Sequence, residues 1–212
     1  MVDPPADKRF EAPFEPLSAE GRAASLRETL AARPGSGDVW LFGYGGLMWD
    51  PRIRYAVARP ARIAGWRRGF CIWTLLARGT PERPGLALAL DRGGAYDGMA
   101  FRIAAAEVDV ALRQVWDREM YTGVYRPRWL RTRLARRTVA AIAFTIDRSH
   151  ERYAGAVPVE RMVRALATAS GRLGSSYDYL ASTVAHLDEL GVRDGAMHRL
   201  LRRVEGYRRG SR

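Results

Sequence analysis

The stretch 39–50 constrains the fold of this chain more than any other part of the sequence. Residues 39–42 are four bulky apolar side chains in a row, which is typical of a strand buried on both faces. Gly43, Gly45 and Gly46 follow, and glycine is favoured where a backbone bends or approaches another group closely. The pattern predicts a buried strand that runs into a loop of exposed amides. That loop is either a tight turn packed between aromatic residues or a cradle that binds an anion or oxyanion.

Two common phosphate-binding motifs do not fit this loop. Met48 stands where a dinucleotide-binding fingerprint needs its third glycine, and no Gly-Lys-Ser or Gly-Lys-Thr follows as in a P-loop. The loop alone therefore does not identify a ligand.

Length and composition limit the domain organisation. The chain has 212 residues, of which 47% are hydrophobic, and this is enough for one sizeable core. We expect an N-terminal arm over residues 1–17, disordered or draped, and a single domain over 18–212 with its core at 39–204. No run of about 18 apolar residues occurs, and the start lacks the features of a signal peptide. We therefore expect a cytoplasmic protein with no membrane partner.

Cysteine and histidine usage argues against a metal site. Cys71 is the only cysteine, and none of the three histidines shares a metal-ligand spacing with it. We expect no zinc centre and no disulfide within the chain. Cys71 lies between Phe70 and Ile72, and we expect it to be a buried core thiol.

The net charge of +12 raises the possibility of nucleic-acid binding. The densest arginine cluster largely alternates with other residues over 126–137, as one solvated face of a strand would, and its members are Arg126, Arg128, Arg131, Arg133, Arg136 and Arg137. A basic surface would equally attract small anionic substrates. A nucleic-acid-binding module therefore stays open as an alternative function of a different class.

Hydrophobic periodicity and turn signals predict an α+β fold with a small, mainly antiparallel sheet or barrel and a helical C-terminal third. Strands are predicted at about 39–44, 61–68, 70–76, 86–91, 96–103, 129–134 and 139–147. The second and third are expected to pair across a break near Gly69, and the fourth and fifth to form a hairpin around residues 92–95. Helices are predicted at about 18–32, 107–120, 158–169, 176–190 and 194–204.

Glu119 is predicted to face the core. On a helix that advances about 100° per residue, it falls in the same stripe as three apolar residues, Val108, Leu112 and Val115. Asp117 points to the opposite side, where an acid is solvated. Burial would raise the pKa of Glu119 toward the range of a general base. The alternatives are a buried ion pair, for which Arg78 is one partner to consider, or a helix that ends early and leaves the acid in water.

Four motifs occur in order along the chain: FGYGGLMW at 42–49, RGTPERPG at 78–85, WDREM at 116–120 and GSSYDYL at 174–180. Together they resemble the ChaC family of glutathione-specific γ-glutamylcyclotransferases, from residue 39 to about residue 204. The resemblance implies a γ-glutamylcyclotransferase-like fold, a small barrel with packed helices, that acts without a metal or organic cofactor.

The resemblance also implies a substrate and a reaction: the small molecule glutathione is cleaved to 5-oxoproline and cysteinylglycine. In this family the glutamate at the position of Glu119 is catalytic. The glycine loop binds the γ-glutamyl group, and its residues here are Gly43, Tyr44, Gly45, Gly46, Leu47 and Met48. The family's loop usually reads Tyr-Gly-Ser-Leu, so Gly46 removes a hydroxyl but leaves the backbone donors. A cyclotransferase for another γ-glutamyl amine or dipeptide is the alternative within the same chemistry.

The implied chemistry is consistent with the residues present. The substrate's own α-amine attacks its γ-amide carbonyl, so no serine or cysteine nucleophile is needed, and no Gly-x-Ser-x-Gly elbow occurs. A base is needed because the amine arrives as ammonium, and Glu119 could take that proton and return one to the leaving amine. The amides of residues 44–47 face either the carbonyl or the substrate's α-carboxylate; the sequence leaves both open.

Two further residues are candidates for substrate binding. Arg78 either pairs with a substrate carboxylate or orders its own loop. Tyr179, which follows Tyr177 at the start of a helix, either reaches a bound glutamyl group or packs as an ordinary tyrosine. His186, beside the apolar face of that helix, is expected to be structural.

Overall fold

The computed structural model describes residues 15–210. Five strands form a closed barrel in the order β1-β3-β2-β4-β5, and β3 also pairs with β5. Their bounds are β1 (Val39–Gly43), β2 (Val57–Thr74), β3 (Gly85–Ile103), β4 (Tyr125–Arg133) and β5 (Thr138–Ile146). The predicted α+β class, with a mainly antiparallel barrel, is confirmed.

Six α-helices accompany the barrel within the described range. They are α1 (Ala19–Ala31), α2 (Gly46–Trp49), α3 (Val108–Glu119), α4 (Val159–Thr168), α5 (Ser176–Glu189) and α6 (Gly195–Gly210). The helical C-terminal third is confirmed, although α6 runs six residues beyond its predicted end at residue 204. Within residues 15–210, no helix is long and apolar enough to cross a membrane.

The chain divides into two compact units. We call Glu15–Gly69 with Ala89–Asp147 the loop unit, because it contains the glycine loop and Glu119. The described part of the other unit, which we call the helical unit, comprises Phe70–Leu88 and residues 148–210. The single domain expected over 18–212 stays a prediction. Of the expected N-terminal arm, residues 1–14 lie outside the described range.

The core of the loop unit is built on β1. All five of its residues are buried, and it pairs antiparallel with β3 and parallel with β5. Alternate residues of β1 pack into two different core clusters, Val39 and Leu41 into one and Trp40 and Phe42 into the other, so neither face is solvated, which explains the uninterrupted apolar run. Helix α3 covers this core with Leu112 and Trp116, which are 0% and 1% exposed. The Trp116 ring meets Phe144 of β5 edge to face at 5.0 Å.

The hairpin predicted around residues 92–95 is confirmed as a reversal of chain direction. Residues at the end of β3 run antiparallel to β1, whereas Leu90 of β3 pairs parallel with Thr145 of β5, and β1 and β5 are parallel. The two halves of β3 therefore run in opposite directions. The reversal contains Gly93 and Gly94, whose φ angles of 106° and 71° favour glycine. Extended structure continues through it, so β3 is one uninterrupted element.

The strand break predicted near Gly69 is wrong, because β2 continues through that residue. Gly69 is absent from the glycines with positive φ, whereas Gly65, earlier in β2, has φ 80°. The first part of β2 is partly exposed and its last five residues are all buried. This change of burial along one strand resembles two strands when only hydrophobic pattern is considered.

The helical unit contains α4, α5 and α6, whose predicted starts lie within one residue of the observed ones. Pro158 precedes α4, and the Ser175 hydroxyl accepts from the Asp178 amide at the start of α5. A two-stranded ladder between α4 and α5, formed by β6 (Ser170–Gly171) and β7 (Gly174–Ser175), was not predicted because two-residue strands carry no periodic signal. Cys71 is buried, as expected.

We expect Gly98→Ala to destabilise the loop unit. A Cβ at residue 98 would lie 2.3 Å from the Gly43 carbonyl oxygen and 2.7 Å from the ring of Phe42. Because backbone must move to relieve this overlap, the free energy of unfolding should fall by about 1–3 kcal/mol in urea denaturation. Gly69→Ala is the matched control, since its Cβ would meet nothing within 4 Å. Equal losses in both variants would contradict the packing described for Gly98.

Candidate active site

The glycine loop turns back on the end of β1. The Met48 amide donates to the Gly45 carbonyl at 2.7 Å and the Asp50 amide to the Gly46 carbonyl at 2.9 Å, which forms the short helix α2. A Cβ on Gly43 would lie 3.0 Å from the Leu47 carbonyl carbon, so the absence of a side chain permits this close return. Helix α2 was not predicted, because four residues are too few for a helical period.

Three consecutive amides of the loop are unused. Among the described residues, the N–H groups of Gly45, Gly46 and Leu47 have no hydrogen-bond acceptor. Gly45 and Leu47 are buried and Gly46 is half-buried. Since buried amides without acceptors are rare, these three are candidate donors to a ligand.

Arg68 of β2 fixes the start of the loop. Its Nη1 donates to the Tyr44 carbonyl at 2.9 Å, and its guanidinium lies 4.6 Å from the centre of the Tyr96 ring. The hydrogen bond holds the Tyr44 carbonyl next to β2. The sequence reasoning did not identify Arg68, because an arginine in a strand with no motif around it resembles any solvated residue.

Helix α3 places Glu119 as the sequence predicted. Val108 and Val115 are buried at 5% and 1% exposure, and the side chain of Glu119, the last helical residue, is 16% exposed. The helix therefore does not end early. Asp117 is 68% exposed and pairs with Arg22 of α1 at 2.9 Å, so its predicted surface position is confirmed.

Burial raises the pKa of Glu119 above its ordinary value of 4.5, and the neighbouring Arg118 partly opposes this rise. The ion pair is with Arg118, whose Nε lies 3.3 Å from Oε1 of Glu119. Burial has the larger effect on the pKa of Glu119 because the carboxyl has lost most of its water. The Arg118 side chain is 35% exposed, so solvent screens its charge.

Arg118 also contacts the glycine loop. Its Nη1 donates to the Asp50 carbonyl at 2.6 Å, and its Nη2 lies 2.6 Å from where a Cβ on Gly46 would stand. The carboxyl of Glu119 and the glycine loop therefore border the same guanidinium. The sequence reasoning overlooked Arg118, although its position beside the core-facing acid was a usable signal.

Arg78 and Tyr179 lie in the helical unit, where they contact each other. The Arg78 guanidinium is 5.3 Å from the centre of the Tyr179 ring, and its Nη1 donates to the Leu173 carbonyl. Tyr179 also meets Phe70 edge to face at 6.1 Å. The Arg78 carbonyl accepts from the Ser176 hydroxyl at 2.8 Å, so Arg78 orders its own loop. A role for either residue in substrate binding stays a prediction.

Two other kinds of site were considered within residues 15–210: a metal centre and a surface groove. Among residues 15–210, no group of three or more His, Cys, Asp or Glu side chains could hold a metal ion. A surface groove of about 710 Å³ in the loop unit lies along α1 and β4 and contains neither the glycine loop nor Glu119. The candidate active site is therefore the glycine loop with Glu119 and the two arginines that contact them.

We expect the stability effect of Glu119→Gln to depend on pH. Because the folded-state pKa is raised above 4.5, the protonated carboxyl stabilises the fold fully below about pH 4.5. That contribution is lost as the pH rises through the raised folded-state value. Glutamine does not ionise. The Tm of the Glu119→Gln protein should therefore equal that of the natural protein at pH 4 and be higher than it at pH 8.

Asp117→Asn is the matched control for this measurement, because it neutralises an exposed acid on the same helix. Thermal unfolding of all three proteins between pH 4 and pH 8 checks the expectation. A Tm difference between Glu119→Gln and the natural protein that does not grow with pH would contradict the raised pKa.

The chain is similar to known proteins over most of its length. A family model described as ChaC-like protein matches residues 39–207. A glutathione-specific gamma-glutamylcyclotransferase of Escherichia coli (strain K12) is 42% identical over 185 residues, which cover 87% of this chain and 80% of that relative. Gamma-glutamylcyclotransferase 2-3 of Arabidopsis thaliana is 27% identical over 168 residues, covering 74% of this chain and 83% of that relative.

A solved structure supports the fold. The crystal structure of a glutathione-specific gamma-glutamyl cyclotransferase from yeast aligns with a TM-score of 0.73 at 19% identity, covering 82% of this chain and 98% of that chain. At this identity the likeness shows the fold alone, and it confirms the expected γ-glutamylcyclotransferase-like fold. With the family model matching from β1 into α6, the chain belongs to the ChaC-like protein family.

Proposed function

We propose that this protein is a γ-glutamylcyclotransferase that converts glutathione to 5-oxoproline and cysteinylglycine. The observation that carries the proposal is a largely buried carboxyl, Glu119, which shares one guanidinium with a loop of three unused amides. The family and the specificity named for the Escherichia coli relative support glutathione as the substrate.

In the proposed reaction, Glu119 acts as both base and acid. Its carboxylate takes a proton from the substrate's α-ammonium, and the freed amine attacks the γ-carbonyl carbon to close a five-membered ring. The C–N bond to the cysteinylglycine amine then breaks as the same carboxyl returns its proton to that leaving nitrogen. The ring nitrogen, which still carries two protons, releases one of them to the carboxylate, and the freed cysteinylglycine amine takes it up as it leaves. A raised pKa suits both steps, because the group must accept and release a proton near neutral pH.

The amides of Gly45, Gly46 and Leu47 are proposed to bind a negatively charged oxygen. A donor of this kind, aimed at the oxyanion that forms on the γ-carbonyl, contributes about 3–4 kcal/mol in other enzymes. Because Gly46 carries no side chain, this binding depends on backbone groups alone. The roles proposed for Arg78 and Tyr179 are secondary, since contacts within the helical unit already engage both side chains.

We expect glutathione to yield equal amounts of 5-oxoproline and cysteinylglycine in a buffer that contains a metal chelator. Glu119→Gln should lower kcat at least about 100-fold, because it removes the only proposed base. Asp117→Asn, which changes the exposed acid two positions earlier, should keep activity within a factor of about two. Near-normal turnover by folded Glu119→Gln would remove Glu119 from the mechanism.

Substrate preference separates glutathione from other γ-glutamyl compounds. We expect kcat/KM for glutathione to exceed that for γ-glutamyl amines and γ-glutamyl dipeptides, measured as 5-oxoproline release from each compound at the same pH. A higher kcat/KM for one of those compounds would favour the alternative substrate while leaving the chemistry unchanged.

The exposed arginines of β4 favour a second candidate, nucleic-acid binding. Arg128, Arg131 and Arg133 are exposed along one strand, which fits contact with a phosphate backbone. That function requires salt-sensitive retention of the protein on immobilised DNA or RNA. Failure to be retained at about 0.15 M salt would dismiss it.

A further inference from the structure

Arg118 stands between the two parts of the candidate active site. Its Nε pairs with Glu119 at 3.3 Å, and its Nη1 donates to the Asp50 carbonyl at 2.6 Å. Its Nη2 occupies the space above Gly46, 2.6 Å from the position of an added Cβ. All three nitrogen atoms of the guanidinium thus contact either the acid or the segment that carries the glycine loop.

We propose that Arg118 is a positioning residue that ties the Glu119 carboxyl to the glycine loop, and that Gly46 lacks a side chain because this guanidinium fills its place. The inference rests on the proposed function, since it assigns Arg118 a part in the same reaction. It also gives a physical reason for glycine at the position where the family's loop usually has serine.

An arginine suits this position for geometric reasons. Its planar fork directs several N–H groups at fixed angles, so one side chain can bond a carbonyl and a carboxyl that belong to different elements. Lysine would keep the charge, but its single ammonium group cannot reproduce the spacing of Nε and Nη1. Arg118 also lies in the last turn of α3, where a positive charge is favourable to the helix dipole.

Other charged groups around the site are paired among themselves. Asp50, at the end of α2, pairs with Arg52 at 2.7 Å, and Asp117 on α3 pairs with Arg22 of α1. Arg118 is consequently the charge that acts on Glu119, and it lowers the pKa that burial raises. Removing it should leave the buried carboxyl harder to ionise.

The first experiment compares pH profiles of kcat/KM for glutathione. Arg118→Ala should move the acidic limb upward by about half a pH unit or more, because the carboxylate loses its positive neighbour. Activity loss should therefore be greatest at low pH. Arg118→Lys should keep the limb near its natural position and still lower kcat/KM, because the charge remains while the fork is lost.

Arg113→Ala is the matched control. Arg113 lies on the same helix, is exposed, and has no ion-pair partner among the described residues. It should leave both the limb and the activity unchanged. A loss in Arg118→Ala by the same factor at every pH, with an unmoved limb, would overturn the positioning role.

The second experiment tests the space above Gly46. Gly46→Ala should lower kcat/KM in the natural protein, because its methyl group must displace the guanidinium. The same change in the Arg118→Ala background should have a smaller effect, since the space is then empty. Equal fold-losses in both backgrounds would refute the pairing of Gly46 with Arg118.

A measurement without substrate separates this inference from the proposed function. The Tm difference between each protein and its Glu119→Gln form reports the titration of Glu119. In the Arg118→Ala background, that Tm difference should keep growing up to a higher pH than in the natural background and should reach a larger value. If glutathione is not cleaved but this shift appears, the proposed function fails and the link between Arg118 and Glu119 stands; an unchanged difference would contradict the link itself.

Discussion

The loss of water around one carboxyl group, Glu119, is the constraint on which the candidate active site depends. Helix α3 cannot rotate to release it, because Trp116 packs edge to face on Phe144 and Leu112 is fully buried. The apolar contacts that stabilise the loop unit therefore also keep water away from the Glu119 carboxyl, and this desolvation raises its pKa. One packed helix face thus contributes to the core and also raises the pKa of this carboxyl.

Two arginines connect that helix face to the glycine loop. Arg68 holds the Tyr44 carbonyl at the start of the loop, and Arg118 holds the Asp50 carbonyl at its end. Carbonyls are engaged at both ends of the loop, whereas the amides of Gly45, Gly46 and Leu47 have no acceptor among the described residues. The loop thus presents free donors near a largely buried carboxyl, and this is the combination on which the proposed cyclisation rests.

Much of the fold could be predicted because its signals are local. The stripe on α3, the starts of α1 and α5, and the glycine reversal in β3 all depend on neighbouring residues, and each was predicted close to its observed position. The errors have two causes. A continuous β2 was interpreted as two strands because its burial changes partway, and burial is set by distant parts of the chain. The four-residue helix α2 is too short to show a period.

The sequence by itself determined the two features on which the proposed chemistry rests: a loop with three glycines and an acid placed on an apolar helix face. Both follow from spacing along the chain, which fixes side-chain direction once a helix or strand forms. Only the tertiary structure decided what these groups contact. Arg118 was one arginine among many until folding brought its guanidinium over Gly46 and against Asp50, because contacts between residues about 70 positions apart depend on how the elements pack.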